Sequence, residues 1–364
     1  MKPTCQLYDL GQRLWLDTIS RDLLDHETLQ RYITDFSITG LTSNPSIFDS
    51  AIASGTAYDQ GIQEKTLAGK SGEALFIELA LEDLCRAADL FRPVFNASHQ
   101  TDGWVSMEIS PLLSADTPSS IASARQIHQQ ANRPNLFVKI PGTPAGIPAI
   151  EELIFAGIPI NVTLLFSREH YLAAAEAYMR GLERRVAAGL SPRVASVASL
   201  FVSRWDVAVK DQVDKDLHNT LGIAICQRTY HAHRQLLAAP RWQVLVAAGA
   251  YPQRLLWAST GSKDPDLSAA FYVDALVAPD TINTLPEKTL LAFAAQGQPG
   301  AVMAEDGGTA EATLLRFAQA GIDIEALALK LQRDGTASFI ASWQHLLQCI
   351  ADKSATLANG QSKP

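Results

Sequence analysis

Apolar residues along this chain fall into two alternating kinds of run. Short runs rich in branched and aromatic residues are bounded by Gly, Pro, Asn or Asp, and longer stretches carry apolar residues at helical spacing. The short runs predict strands at Arg13–Asp17, Ser37–Thr42, Trp104–Ile109, Leu136–Ile140, Pro159–Thr163, Val194–Ser199, Leu255–Ser259 and, with the weakest pattern, Thr281–Leu285. Helices are predicted between them. Thr117–Ala131 opens on Thr-Pro-Ser-Ser, Ser167–Ala188 carries Tyr171, Ala174, Ala175 and Tyr178 at helical spacing, and Pro286–Gln296 has proline in its first turn. Gly157 and Gly189 stand where helices should end. Ala51–Asn96 is long enough for more than one helix, and the section after Gly307 adds further helices.

Strands alternating with helices imply a parallel sheet, and eight of them in this order favour closure into a barrel over a doubly wound sheet. The predicted fold class is therefore α/β, a single (β/α)8 TIM-type barrel with additional helices. With no repeat or linker to divide it, residues 1–352 are expected to form one domain and 353–364 a flexible polar tail.

Side chains on a barrel strand alternate between interior and exterior. On one parity the strand ends read Trp15 and Asp17, then Thr42 and Asn44, then Ser106 and Glu108, then Phe137 and Lys139. The later strands give Asn161 and Thr163, then Val197, Ser199 and Phe201, then Trp257 and Ser259. Barrel enzymes build their sites at this C-terminal end of the strands. Singly, each residue has a plain structural reading: Asn44 suits the cap of a helix starting at Pro45, and Thr163 suits a strand. Together they converge on one amine.

Lys139 lies inside the apolar run Asn135-Leu-Phe-Val-Lys-Ile-Pro-Gly142 and is the only lysine between Lys70 and Lys210. Lysine is rarely buried. It either snorkels or pairs with a carboxylate, or it serves as a desolvated amine that attacks a carbonyl. An amine, two carboxylates (Asp17, Glu108), a hydroxyl (Thr163) and two amides (Asn44, Asn161) match Schiff-base chemistry, in which an iminium draws electrons while a carboxylate moves a proton.

Composition narrows the alternatives. The chain has 364 residues, 47% hydrophobic and 19% charged, as expected of a globular protein with a sizeable core. A formal charge of −8 argues against nucleic acid as a partner. No run reaches the roughly 18 apolar residues of a membrane span, and the N-terminus lacks a signal-like apolar stretch. Cys5, Cys85, Cys226 and Cys349 are widely spaced, which suggests free thiols in a reducing, cytoplasmic setting. His231 and His233, two apart on a helix, do not share a face and read as surface residues, so no metal site is expected. No glycine-rich phosphate loop follows a strand, so no cofactor is expected either.

Five segments carry a family likeness: Gly40-Leu-Thr-Ser-Asn-Pro-Ser-Ile47, Val105-Ser-Met-Glu-Ile109, Phe137-Val-Lys-Ile-Pro141, Gly157-Ile-Pro-Ile-Asn-Val-Thr-Leu-Leu-Phe166 and Ser199-Leu-Phe-Val-Ser-Arg204. In order and content they resemble the motifs of transaldolase, from about Leu7 to Phe293. Trp257-Ala-Ser-Thr-Gly-Ser-Lys263 and Asn283-Thr-Leu-Pro286 are most similar to its longer bacterial branch. Some members of that branch are fused to a glucose-6-phosphate isomerase, for which this chain is too short.

The resemblance implies reversible, cofactor-free transfer of a dihydroxyacetone unit from sedoheptulose 7-phosphate to glyceraldehyde 3-phosphate, giving fructose 6-phosphate and erythrose 4-phosphate. It implies Lys139 as the Schiff-base residue, Asp17 as acid and base at the C4 hydroxyl, and Glu108 with Thr163 at a catalytic water. Asn44, Asn161 and Ser199 would hold the dihydroxyacetone unit beside Phe201, with Arg204 on the phosphate. Thr42 and Ser259 complete the expected substrate-binding set. One position departs from the family: many members have a second phosphate-binding arginine where this chain has Gly261, and Lys263 is the expected substitute. Two other functions stay open, an aldolase that releases free dihydroxyacetone and a non-catalytic binding barrel. The expected partners are phosphorylated sugars, with monomer and homodimer both open.

Overall fold

The structure, a computed structural model, describes residues 2–360. Eight strands form a closed barrel: β1 (Arg13–Leu16), β2 (Ile38–Thr42), β3 (Trp104–Glu108), β4 (Leu136–Pro141), β5 (Ile160–Leu165), β6 (Ser196–Phe201), β7 (Arg254–Ala258) and β8 (Ile282–Leu285). Each strand pairs in parallel with its sequence neighbours, and β8 closes the ring against β1. All eight predicted strands are present, including the weakly patterned last one, with ends shifted by one or two residues. The predicted helices follow suit. Thr117–Ala131 is helical over its whole length, Ser167 caps the helix Arg168–Ala187, and Pro286 precedes the helix Glu287–Gln296. Gly157 and Gly189 end helices at φ +85° and +69°, a backbone conformation that costs glycine little.

Buried hydrophobic residues form one contiguous cluster through the barrel and its helical coat. In the N-terminal half of the barrel the interior is aromatic. Trp104 stacks on Phe137 at 4.1 Å between ring centroids, and Trp15 approaches the same ring at 6.1 Å. Gly40 is required opposite Trp15, because a Cβ there would lie 2.5 Å from the indole. Below these rings Asp102 bridges Arg13 and Arg254, at 2.9 Å to each. Asn135 ties the chain ahead of β4 to its surroundings, donating to the carbonyls of Ala88 and Gly103 at 2.8 Å.

After Gly307 two more helices follow, Ala310–Gln319 and the 37-residue Ile324–Gly360. The second corrects the expectation of a polar tail starting at 353. Lys353 pairs with Asp59 at 2.6 Å and Ser354 accepts a hydrogen bond from Thr66, so polar residues that look solvated in sequence are anchored here. The remainder of that expected tail, residues 361–364, lies outside the described residues. The surface reading of His233 is also corrected. It is 1% exposed and shares a 2.7 Å hydrogen bond with Tyr171, and burial holds its pKa down to about 3. No described helix is long and apolar enough to cross a membrane.

Candidate active site

The strand register lifts one polar layer to the C-terminal mouth of the barrel. Glu108 on β3 pairs directly with Lys139 on β4, and Lys139 with Asn161 on β5, so these three side chains enter the interior side by side. Lys139 Nζ donates to Glu108 Oε2 at 3.1 Å and to the Ser43 carbonyl at 2.9 Å, and both side chains are 7% exposed. Across the mouth, Thr42 donates to Asp17 Oδ1 at 2.6 Å and shares a 2.7 Å contact with the hydroxyl of Thr284. Beneath the opening, Ser199 donates to Asn161 Oδ1 at 2.7 Å, and Asn161 donates onward to Ser106 at 3.1 Å.

These groups surround a cavity of about 170 Å³. Ten of the twelve residues expected at the site line it: Asp17, Thr42, Asn44, Lys139, Thr163, Ser199, Phe201, Arg204, Ser259 and Lys263. The other two, Glu108 and Asn161, lie beneath it, one on the amine and the other in the Ser199 network. Asn44 also caps the helix Pro45–Ala53, accepting from Ile47 N–H at 3.1 Å, so its plain structural role is real.

The parity expected for β7 is off by one. Phe201 pairs with Ala258 and Leu256 with Ile282, which turns Ala258 inward and Trp257 outward. Ser259 reaches the cavity because the chain leaves the strand through a left-handed turn, φ 57°. Sequence reasoning also missed Thr284, Ser46 and Phe339. Thr284 pairs with Trp15 and was legible from the alternation of β8. Phe339 has no such signal. It belongs to the C-terminal helix, which Gln332 fastens across the barrel by donating to the carbonyls of Gly142 and Leu164, 3.0 Å each. Seven residues on, two helical turns, Phe339 falls on the same face.

Charge at the site is desolvated. Burial is the main influence on Glu108 and raises its carboxyl above the usual range, opposed by the Lys139 ammonium beside it. Asp17 is likewise raised by burial, while the Thr42 hydrogen bond and then the charges of Lys139 and Lys263 pull it down. Arg204 sits between two rings, its guanidinium carbon 5.4 Å from the centre of Phe201 and 5.9 Å from that of Phe339. Burial lowers its pKa, opposed by the more distant charge of Asp334, and it makes no direct ion pair among the described residues. Helix residue Gly335 makes room for it, since a Cβ there would stand 3.2 Å from Nη1. A desolvated guanidinium with no direct ion-pair partner, facing a cavity, is suited to an anionic group.

A family profile described as Transaldolase/Fructose-6-phosphate aldolase matches residues 14–350. The chain belongs to this family. The match continues well past Phe293, so the transaldolase-like region includes the C-terminal helix that carries Phe339. Relatives are similar along almost their whole length. The transaldolase of Thiobacillus denitrificans is 41% identical over 96% of this chain and 100% of its own. That of Arthrobacter sp. strain FB24 is 41% identical over 95% of both, and that of Saccharopolyspora erythraea 39% identical over 95% of this chain and 96% of its own.

Proposed function

We infer that this protein is a transaldolase, moving a dihydroxyacetone unit from sedoheptulose 7-phosphate to glyceraldehyde 3-phosphate through a Schiff base on Lys139. The observation that carries the reading is the buried contact between Lys139 and Glu108, 3.1 Å apart, beside a cavity that also receives Asp17. The four free thiols fit a cytoplasmic setting.

In this reading the Lys139 ammonium passes a proton to Glu108 across their 3.1 Å contact, and the amine so freed adds to the C2 carbonyl of the ketose. Glu108, its carboxyl raised by burial, gives a proton to the departing hydroxyl through a water held by Thr163, and the iminium forms. Asp17 then takes the C4 hydroxyl proton, the C3–C4 bond breaks, and its electrons move into the iminium to leave an enamine on Lys139. The aldehyde product departs. The acceptor aldehyde enters, the enamine carbon attacks its carbonyl carbon, and Asp17 returns its proton to the new hydroxyl. Water then releases the product by the reverse of the first steps.

Phosphate belongs at Arg204, whose planar fork can make two parallel bonds to phosphate oxygens. Lys263, exposed and lining the same cavity, supplies a second positive charge where Gly261 leaves no side chain. Together they reverse the local sign of a chain with net charge −8. Asn44, Ser199, Thr42 and Ser259 offer hydrogen bonds for the hydroxyls of the three-carbon unit, with Asn161 orienting Ser199 from below.

Borohydride added with fructose 6-phosphate should fix a three-carbon adduct on Lys139, detected by peptide mass spectrometry. An unmodified Lys139 would sink the reading. Cleavage of fructose 6-phosphate should depend on erythrose 4-phosphate. Free dihydroxyacetone released at the same rate without it would instead favour the simple aldolase.

A further inference from the structure

A second cluster of reactive side chains lies away from the lysine chemistry, where the helix Pro45–Ala53 packs on the C-terminal helix. Asp49 projects from the first. His345 and Cys349, four residues apart and so on one face, project from the second. Asp49 Oδ1 is 2.7 Å from His345 Nδ1 and 3.9 Å from Cys349 Sγ, and Sγ is 3.7 Å from the same ring nitrogen. We propose that Asp49, His345 and Cys349 form a binding site for a divalent transition-metal ion of the zinc class.

The donor set selects the ion. A thiolate is too soft for magnesium or calcium, and mixed S, N and O donors suit zinc or cobalt. With a carboxylate, a thiolate and a neutral imidazole, the protein supplies two negative charges to a doubly charged ion. Geometry asks for a turn of one side chain: Sγ lies 3.7 Å from Nδ1 and also 3.9 Å from Nε2, so the imidazole must swing to aim its Nδ1 lone pair at an ion shared with sulfur. A tetrahedral zinc places its N and O donors about 3.3 Å apart and sulfur about 3.5 Å from either. Sulfur is already within a few tenths of an ångström of that. Nδ1 and Oδ1 must part by roughly 0.6 Å. His345 is free to do this, because its side chain is 65% exposed.

The chemistry balances simply. The Cys349 thiol releases one proton to solvent as the S–metal bond forms. The imidazole hydrogen shared with Asp49 moves to Nε2, freeing the Nδ1 lone pair for the metal, and a water fills the fourth place. The two helices are held in register whether or not metal binds. Phe48 and Trp343 both meet Phe76 edge-on, at 5.3 and 5.0 Å, and Ser46 bonds to Ser342 at 2.7 Å. The ligands are therefore presented from a rigid frame, which lowers the ordering cost of binding. The consequence is a clamp. The ion joins the helix that begins beside Asn44 to the helix that brings Phe339 and Gly335 over the cavity.

Chelator-treated full-length protein, titrated with zinc by calorimetry, should take up one ion per chain at this site. Cobalt in its place should give the near-ultraviolet absorption of a thiolate–cobalt bond. Cys349→Ser should remove that band, and His345→Gln, at an exposed position, should weaken zinc binding at least about tenfold while leaving the helical circular dichroism unchanged. Cys5→Ser should alter neither. Zinc should raise the melting temperature of the native chain but not that of Cys349→Ser. Survival of the band and of zinc uptake in both Cys349→Ser and His345→Gln would overturn the proposal. So would uptake by the native chain no tighter than by Cys349→Ser.

Discussion

The two halves of the barrel interior contrast sharply in how their demands are met. In the N-terminal half, Trp15, Trp104 and Phe137 fill the space, and each charge has its partner in the Arg13–Asp102–Arg254 bridge. At the C-terminal mouth, two carboxyls are pushed up by burial and a half-buried guanidinium is flanked by two aromatic rings and makes no direct ion pair among the described residues. The same eight strands support both halves. One end is closed in favour of stability, and the other holds desolvated groups that a substrate would complete.

That contrast yields experiments that separate activity from stability. Lys139→Met should cause the greatest change, a loss of turnover on the order of 10⁴-fold or more, because it removes the proposed nucleophile. Its thermal midpoint should not fall greatly, since Glu108, already raised, takes up a proton once the ammonium is removed. A large drop in melting temperature with turnover retained would mean that the buried amine is structural. Trp15→Ala should do the reverse. Emptying an indole-sized space should cost about 3–5 kcal/mol in denaturant unfolding, while borohydride trapping at low temperature persists.

Arg204→Ala should raise the KM for a phosphorylated ketose by about 30- to 100-fold, the scale of a charged hydrogen-bonded contact. Unphosphorylated fructose should be far less affected. Equal losses with both sugars would remove the phosphate from Arg204. The smallest effect is a shift in pH dependence. In the proposed mechanism Asp17 must be ionised to accept the C4 hydroxyl proton, and the Thr42 hydrogen bond favours its ionised form. Thr42→Val removes that bond, so the pKa rises and the acidic limb of the kcat profile should move to higher pH. A limb that stayed in place or moved down would detach Thr42 from Asp17.

Much of this arrangement was readable along the chain because a strand's alternation is a local property. Alternation along β3, β4 and β5 turns Glu108, Lys139 and Asn161 inward, and the register then sets them side by side. The reading failed where the chain leaves regular geometry or where distant elements meet. Ser259 enters the cavity through a left-handed residue that alternation does not describe, and this shifted the apparent parity of Trp257. His233 looked like a surface residue because helix spacing counts faces but does not say what packs on them. Tyr171, 62 residues earlier, packs edge-on against its ring and shares a hydrogen bond with it. The helix that carries Phe339 was expected as an addition beyond the barrel. Its docking rests on Gln332 reaching carbonyls 190 and 168 residues away.

The sequence by itself determined the number and order of strands, the polar rim at their C-terminal ends and the chemistry that rim can support. These follow from residue type and from periods of two and 3.6, which act over a few neighbours. Only the tertiary structure decided which carboxylate touches the amine, in which direction burial shifts each acid, and which helix closes over the arginine. Those outcomes depend on desolvation and on contacts between residues far apart in the chain, and periodicity carries no record of either.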